Sequence, residues 1–209
     1  MPRPRQSGFS LIEILVVITI IAALVGLATP IIQNALDKSR VVTCSAHLSD
    51  IGKEMFVWKG RHKDHWPRES GIRFLLVLHK DGMVEGKDCA VFLCPGTEDI
   101  NWTKENRDPG STYQDWDDID PMTISYAGRD GKNFSINKNK ENKEVIAADD
   151  NDGRNNHKFT TNFLYADGSV ASYDINADVI DAGIELDGLD YIPVGPDSPM
   201  ELLQKLQLD

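Results

Sequence analysis

Cysteine is scarce in this sequence, in which 209 residues include only Cys44, Cys89 and Cys94. Structural zinc sites usually show two close cysteine pairs, or added histidines at ligand spacing, and neither pattern occurs here. The spacing of the cysteines therefore predicts no zinc motif. One disulfide with one remaining thiol would suit an exported domain.

The sequence also lacks the basic excess of a nucleic-acid-binding protein, because its formal net charge is −11. A protein that binds nucleic acid would present a basic face, so the composition argues against a nucleic-acid partner. The sequence places no serine or cysteine nucleophile beside an evident base. We therefore expect a non-enzymatic protein with a polar, acidic domain facing water.

What the sequence does contain is one long apolar run, Ile14 to Ile32, which extends for 19 residues without a charge. A helix of that length spans about 28 Å, close to the roughly 30 Å hydrocarbon core of a bilayer. A cleaved secretory signal also starts with a short basic segment, but its apolar part is usually only about 7–15 residues long and ends at a small-residue cleavage site. This run is longer and continues into an amphipathic helix. The pattern predicts a membrane-spanning helix.

The residues that precede this run include an acidic side chain, Glu13. Burying it deep in a membrane costs roughly 2.5–3.5 kcal/mol, so a compensating charge is expected. Cleavage after Gly8 would create a new amine on Phe9, one helical turn from Glu13 or near the Glu13 of a neighbouring subunit. Opposite charges at about 4 Å attract by about 4 kcal/mol at an effective dielectric constant near 20, which is similar to the burial cost.

The stretch Gly8-Phe9-Ser10-Leu11-Ile12-Glu13 resembles the cleavage and methylation site of type IV pilins and type II secretion pseudopilins. The resemblance implies that a prepilin peptidase cuts after Gly8 and N-methylates Phe9. It also implies that Glu13 neutralises the N-terminus of a neighbouring subunit and sets the filament register, and that Pro30 bends the helix.

The partners implied by this resemblance are prepilin peptidase, other pilin or pseudopilin subunits, an inner-membrane assembly platform and membrane lipid. The expected location is the inner membrane, with the C-terminal domain exported to the periplasm or cell surface. The alternative is a single-pass envelope protein whose exported domain binds a ligand and which never polymerises.

The predicted fold class is α+β, in which a long N-terminal helix packs on an antiparallel sheet. The helix is expected from Ser10 to Lys59, because its second half carries an apolar stripe at helical spacing. A second helix is expected over Gly71–Lys80, and a short C-terminal helix after the capping signal at Ser198-Pro199. Short apolar runs bounded by turn residues predict strands at Ala90–Cys94, Met122–Ala127, Glu144–Ala148, Asn162–Ala166 and Ser169–Tyr173.

This pattern divides the chain into five segments. They are a leader (1–8), a transmembrane or filament-core helix (9–32), the amphipathic part of that helix (33–60), an α+β globular domain (61–175) and an acidic tail (176–209).

Asp167-Gly168 lies between two predicted strands and is a strong hairpin signal. Together with His157, these residues resemble the H-x9-DG signature of a pilin-like group, and further matches to that group occur in order along the chain. We interpret His157 as a structural residue that ties the hairpin to a loop, in preference to a catalytic one. The further matches are Cys44, Leu48, Ile51-Gly52, Phe92-Leu93-Cys94-Pro95 and Ser125-Tyr126.

The acidic loop containing Asp149, Asp150 and Asp152 is a weak candidate for calcium. The EF-hand pattern is not met, because Ala148 and Phe159 stand where it requires acids. A solvated loop is the preferred interpretation, so no cofactor is predicted, with calcium as the alternative.

The pairing of the cysteines stays open at this stage. If Ala90–Cys94 is an extended strand, Cys89 and Cys94 are too far apart for a disulfide. A link between Cys44 and Cys94 is easier geometrically, and Cys44 as a small packed residue is the alternative.

Overall fold

A computed structural model describes residues 10–101, 113, 115–117, 119–150, 156–179, 181, 183–186, 188–189 and 191–208. The chain divides into two compact units, Met1–Lys38 and Ser39–Asp209. Helix α1, Leu11–Arg61, contributes residues to both. Its bounds confirm the long N-terminal helix expected from the sequence.

In the first unit, α1 exposes apolar side chains around its whole circumference. Leu11, Leu24 and Leu27 are each more than 60% exposed. Its two threonine hydroxyls donate hydrogen bonds to backbone carbonyls of the same helix, Thr19 to Val16 and Thr29 to Val25, each at 2.8 Å. Polar groups satisfied within the helix are what a lipid environment requires.

Pro30 lies inside α1 and has no backbone N–H to donate to the carbonyl four residues earlier. The bend that the sequence predicts at Pro30 stays a prediction.

In the second unit, α1 continues from Ser39 and buries the predicted apolar stripe. Cys44, Leu48, Ile51 and Met55 are fully buried, and Trp58 is nearly so.

Helix α2, Ile72–Lys80, forms where the sequence predicts it. It packs in the same core as the stripe of α1.

Five antiparallel strands form one sheet in the order β4-β3-β2-β1-β5. The α+β class, with a long helix packed on an antiparallel sheet, is therefore confirmed. The strands are β1 Tyr126–Arg129, β2 Val145–Asp149, β3 Thr160–Tyr165, β4 Val170–Asp174 and β5 Leu206–Gln207.

The sheet is covered on both faces. Ile146 and Leu164 belong to the core that contains α1 and α2. Val145, Phe163 and Ile175 belong to a second core, which the C-terminal segment completes with Ile192, Val194, Met200, Leu203 and Leu206. The segment expected from the sequence to be an acidic tail thus supplies apolar side chains to the second face.

A register shift between Val145 and Ala147 interrupts the pairing of β2 with β3. Ile146 and Ala147 consequently both belong to the helix-side core, whereas Val145 and Ala148 belong to the other. A bulge allows two successive residues to face the same side of a sheet.

Three of the secondary-structure predictions are corrected. Residues Gly86–Phe92 form a 3₁₀ helix, so no strand occupies Ala90–Cys94. Cys89 and Phe92 are both buried three residues apart, which is the period of a 3₁₀ helix and not of a strand. The strand predicted over Met122–Ala127 begins only at Tyr126, because a 3₁₀ turn over Pro121–Thr123 precedes it.

The third correction concerns the C-terminal helix predicted after Ser198. The Ser198 hydroxyl does accept a hydrogen bond from the N–H of Met200 at 3.2 Å. The residues that follow form turns, however, and Leu206–Gln207 then pairs with β1. Pairing along the edge of β1 satisfies backbone groups on both strands and overrides the local helix signal.

Candidate functional site

The first candidate site is the start of α1, where the sequence predicts peptidase cleavage. Gly8 and Phe9 lie outside the described residues. From Ser10 onward, the Ser10 N–H donates to Glu13 Oε2 at 2.7 Å, and the Glu13 N–H donates to the Ser10 carbonyl at 3.1 Å. The Glu13 carboxylate therefore reaches back over the first turn, towards the residue that follows Phe9.

The contact between Ser10 and Glu13 is half of a capping box, in which the third helical residue accepts a hydrogen bond from the N-cap N–H. The Ser-x-x-Glu spacing could have been used to predict it.

Behind Glu13, the next 23 residues, Ile14 to Leu36, contain no charged side chain. The apolar side chains among them are exposed. By length and composition this helix can cross a membrane, a test that a signal sequence would also pass. An apolar surface this extensive is not stable in water and indicates that lipid or other helices cover it.

The second candidate site is a buried cluster that contains His157. Cys44 comes from α1, Cys94 follows the 3₁₀ helix, Asp149 ends β2 and His157 precedes β3. All four residues are buried, and their ligand atoms lie within 4.8 Å of one another. We call these four side chains the His157 cluster.

Cys44 and Cys94 are paired as a disulfide with their Cα atoms 5.2 Å apart. The sequence favours this pairing as a link from helix to sheet, whereas in the structure it joins α1 to the loop after the 3₁₀ helix. The third cysteine, Cys89, is buried elsewhere, with its Sγ 3.7 Å from His79 Nδ1 and 3.7 Å from the Val84 carbonyl oxygen.

Asp149 is the most deeply placed ionisable group of the cluster. Its Oδ2 accepts hydrogen bonds from the backbone and side-chain amides of Asn162, at 2.8 and 2.9 Å. Its Oδ1 is buried and accepts no hydrogen bond from the described residues. Burial raises the pKa of Asp149 to about 7, although hydrogen bonds from Asn162 and from the side chain of Asn156 act in the opposite direction.

The geometry around His157 differs from that of a nucleophilic triad. Cys94 Sγ lies 3.3 Å and Asp149 Oδ2 lies 3.8 Å from the same ring atom, Nε2. In a triad the nucleophile and the carboxylate contact opposite nitrogens of the ring. His157 is also packed and not open to a cleft, being 6% exposed. The cluster therefore has the character of a structural centre.

Asp167 and Gly168 lie at the other end of β3 from His157 and form the β3–β4 turn. The Asp167 carboxylate accepts from the N–H and hydroxyl of Ser169, at 2.9 and 2.6 Å. Gly168 has φ +84°, and a Cβ at this position would lie 2.8 Å from Phe56 Cε2 on α1. The nine residues that separate His157 from Asp167 thus run along β3 and hold the two parts of the motif apart.

Calcium binding at Asp149, Asp150 and Asp152 stays only an alternative to the preferred solvated loop, and Asp152 lies outside the described residues. Calcium is held by oxygen ligands. The ligand atoms closest to the Asp149 carboxylate in the cluster are two sulfurs and an imidazole nitrogen, which disfavours Asp149 as a calcium ligand.

Several contacts of the cluster were not anticipated from the sequence. The Tyr126 hydroxyl donates to Cys44 Sγ and the Gly96 N–H donates to Cys94 Sγ, both at 3.3 Å. Asn162 was assigned to a strand only. The alternation of residues along β3 gave no indication that the Asn162 amides would donate hydrogen bonds to Asp149.

Comparison with known families gives one match, over residues 3–29, to a family described as the prokaryotic N-terminal methylation motif. No curated protein and no solved structure matches the chain. The match supports a type IV pilin-like protein that is processed by a prepilin peptidase and associates with other pilin subunits. With the long apolar helix, it also supports membrane anchoring and points to a structural, pilin-like protein.

Proposed function

We propose that this protein is a pilin-like structural subunit that assembles into a type IV pilus or a type II secretion pseudopilus. The observation that carries the proposal is the methylation motif at residues 3–29, which leads directly into a helix with exposed apolar side chains. A filament core of like helices would cover those side chains.

In this proposal, prepilin peptidase cleaves between Gly8 and Phe9 in the inner membrane and methylates the Phe9 amine. The eight-residue leader stays in the cytoplasm, and the domain after the membrane helix is exported. The assembly platform then moves the helix from lipid into the filament.

Apolar contact alone gives little preference for a filament over lipid, because lipid tails are as apolar as the helix surface. The specificity is therefore assigned to Glu13, the one charge between Leu11 and Leu36. Pairing with a neighbouring Phe9 amine would offset a burial cost of roughly 2.5–3.5 kcal/mol. Only one axial position of the neighbour allows that pairing, so Glu13 would set the register.

The first test is the intact mass and N-terminal sequence of the protein from its native membrane. We expect a chain that begins with methylated Phe9. A chain that still begins at Met1 in cells with active prepilin peptidase would contradict the proposal, and cleavage near Ala28 would indicate a secreted protein.

Assembly is tested separately with Glu13→Ala, and Glu54→Ala on the same helix serves as the control. We expect normal cleavage of both variants but at least about a tenfold loss of Glu13→Ala from sheared filaments, since 1.4 kcal/mol already corresponds to tenfold. Normal incorporation of Glu13→Ala would remove the role assigned to Glu13. A cleaved parent chain that never enters sheared filaments would favour the anchored, non-polymerising alternative.

A further inference from the structure

We propose that the His157 cluster is a zinc site: when Cys44 and Cys94 are reduced, they bind one Zn²⁺ together with Asp149 and His157. The four ligand atoms lie within 4.8 Å of one another, and all four residues are buried. The site belongs wholly to the second unit, so the inference does not depend on whether the chain enters a filament.

Two distances in the cluster are close to those around a tetrahedral ion, and the two sulfurs, which are bonded to each other in the disulfide, would move apart on reduction. Zn–S bonds of about 2.3 Å and Zn–N or Zn–O bonds of about 2.0–2.1 Å place neighbouring ligand atoms roughly 3.3–3.8 Å apart. His157 Nε2 lies 3.3 Å from Cys94 Sγ and 3.8 Å from Asp149 Oδ2. A sulfur and an oxygen thus lie near the same ring nitrogen. A catalytic triad does not explain this arrangement, whereas ligands placed around one metal ion do.

The surroundings of the cluster supply the outer contacts that metal ligands need. Each sulfur accepts one hydrogen bond, from the Tyr126 hydroxyl or from the Gly96 N–H. Asn162 orients the Asp149 carboxylate through Oδ2. Outer contacts of this kind fix the orientation of the side chains that bind the metal and tune their affinity for it.

Asp149 Oδ1 provides an independent indication of a cation. It is a buried carboxylate oxygen that accepts no hydrogen bond from the described residues. A buried acceptor without a partner costs about 1–3 kcal/mol, and more when it is charged. A divalent cation bound by this carboxylate, with Oδ1 as the ligand atom while Oδ2 keeps its hydrogen bonds from Asn162, would remove that cost.

The donor set selects zinc among the common metals. Thiolate and imidazole ligands favour zinc, whereas calcium and magnesium favour oxygen. Four protein ligands with no open position characterise a structural zinc site. The ion would join α1, the loop after the 3₁₀ helix, the end of β2 and the approach to β3.

The chemistry of loading is a ligand exchange. The two thiols lose their protons and form two Zn–S bonds, without any change of oxidation state. The disulfide is the oxidised form of the same site. An added small-molecule disulfide would accept two electrons and become two thiolates, while Cys44 and Cys94 form their bond and Zn²⁺ leaves.

The test uses the full chain in detergent, reduced with a phosphine, incubated with Zn²⁺ and freed of unbound metal. We expect about one zinc ion per chain by elemental mass spectrometry, as for a closed structural site. Cys89→Ser is the matched control and should keep the full metal content. Cys44→Ser and Cys94→Ser should lose nearly all of it, and oxidation of the parent with a small-molecule disulfide should release the zinc.

Two further variants separate a ligand from a packing residue. Asp149→Asn should weaken zinc binding at least about tenfold. His157→Ala should abolish the visible bands of a tetrahedral cobalt–thiolate complex when Co²⁺ replaces Zn²⁺, and His157→Cys should restore them by supplying another ligand. Such a rescue is not expected if His157 only fills space.

A reduced parent chain that keeps the circular dichroism spectrum of the oxidised form but binds no zinc would overturn the proposal. Metal retained in full by both Cys44→Ser and His157→Ala would overturn it as well. The His157→Cys rescue keeps the test decisive even if the other variants fold poorly.

Discussion

Helix α1 supplies residues to two units that use apolar side chains in opposite ways. In the first unit, Leu24 is 62% exposed and its neighbours are similarly open. In the second unit, Leu48 is completely buried in the core beneath the sheet. The same residue type on one helix thus faces outward in one unit and inward in the other.

The pattern of the sequence explains this difference. From Ile14 to Ile32 apolar residues surround the helix, which is the pattern of a segment covered by lipid or by other helices. From Cys44 to Trp58 the buried apolar residues occupy one stripe, with charged residues such as Asp50 and Lys53 off it. A stripe can be buried by one neighbouring layer, whereas a helix that is apolar all round needs surroundings that none of the described residues supply.

The largest difference between the two units is expected when one leucine in each, Leu48 and Leu24, is truncated to alanine. Leu48→Ala should lower the free energy of unfolding of the second unit by about 2–5 kcal/mol, because it leaves a cavity in the core. Leu24→Ala should change it by less than about 0.5 kcal/mol. All four tryptophans lie in the second unit, so tryptophan fluorescence during denaturation in detergent reports on that unit. Equal changes in the free energy of unfolding for Leu48→Ala and Leu24→Ala would contradict the contrast between the buried and the exposed leucine.

An added charge should have the opposite pattern of effects, with a large effect in the first unit and almost none at an exposed position of the second. Ile20→Lys should disfavour membrane insertion by about 3 kcal/mol, since a lysine near the centre of a spanning helix is costly. Val57→Lys, at a position 48% exposed in the second unit, should leave both insertion and unfolding nearly unchanged. Alkaline extraction of membranes measures the inserted fraction, and full retention of Ile20→Lys would argue against a spanning helix.

The smallest effects are expected from replacing two glycines of α1, Gly52 and Gly26, with alanine. A Cβ at Gly52 would lie 2.9 Å from Leu164 Cδ1, whereas none of the described residues comes within 4 Å of a Cβ at Gly26. Gly52→Ala should therefore destabilise the second unit by about 1–3 kcal/mol through overpacking. Gly26→Ala should leave that unit unchanged. Thermal unfolding followed by tryptophan fluorescence distinguishes the two, and an unchanged Gly52→Ala midpoint would show that Leu164 can move aside.

Much of the fold could be predicted because it follows local patterns. The long helix, α2 and the β3–β4 hairpin were each predicted to within a few residues, from helical periodicity or from the Asp167-Gly168 turn. The wrong assignments involved short segments decided by distant contacts. The C-terminal residues pair with β1, which a local capping signal at Ser198 cannot anticipate.

The His157 cluster could be predicted only in part. Cys44, Cys94 and His157 were singled out individually, and Asp149 was placed in a loop interpreted as solvated, with calcium binding only as the alternative. The two cysteines are 50 residues apart and His157 lies 63 residues beyond Cys94, so no local ligand spacing exists to be found. Their meeting depends on how α1 packs along β3, which is a property of the tertiary fold.

That packing also has a mechanical consequence. Helix α1 approaches β3 and its hairpin near Cys44, through the His157 cluster, and again near Gly52, where a Cβ would come 3.5 Å from the Cα of Gly168. These points are eight residues apart, about 12 Å along the helix. Cys44 is the first buried residue of α1. A pulling force that entered the second unit along the helix would therefore load the bond at Cys44 before it reached the apolar contacts beyond.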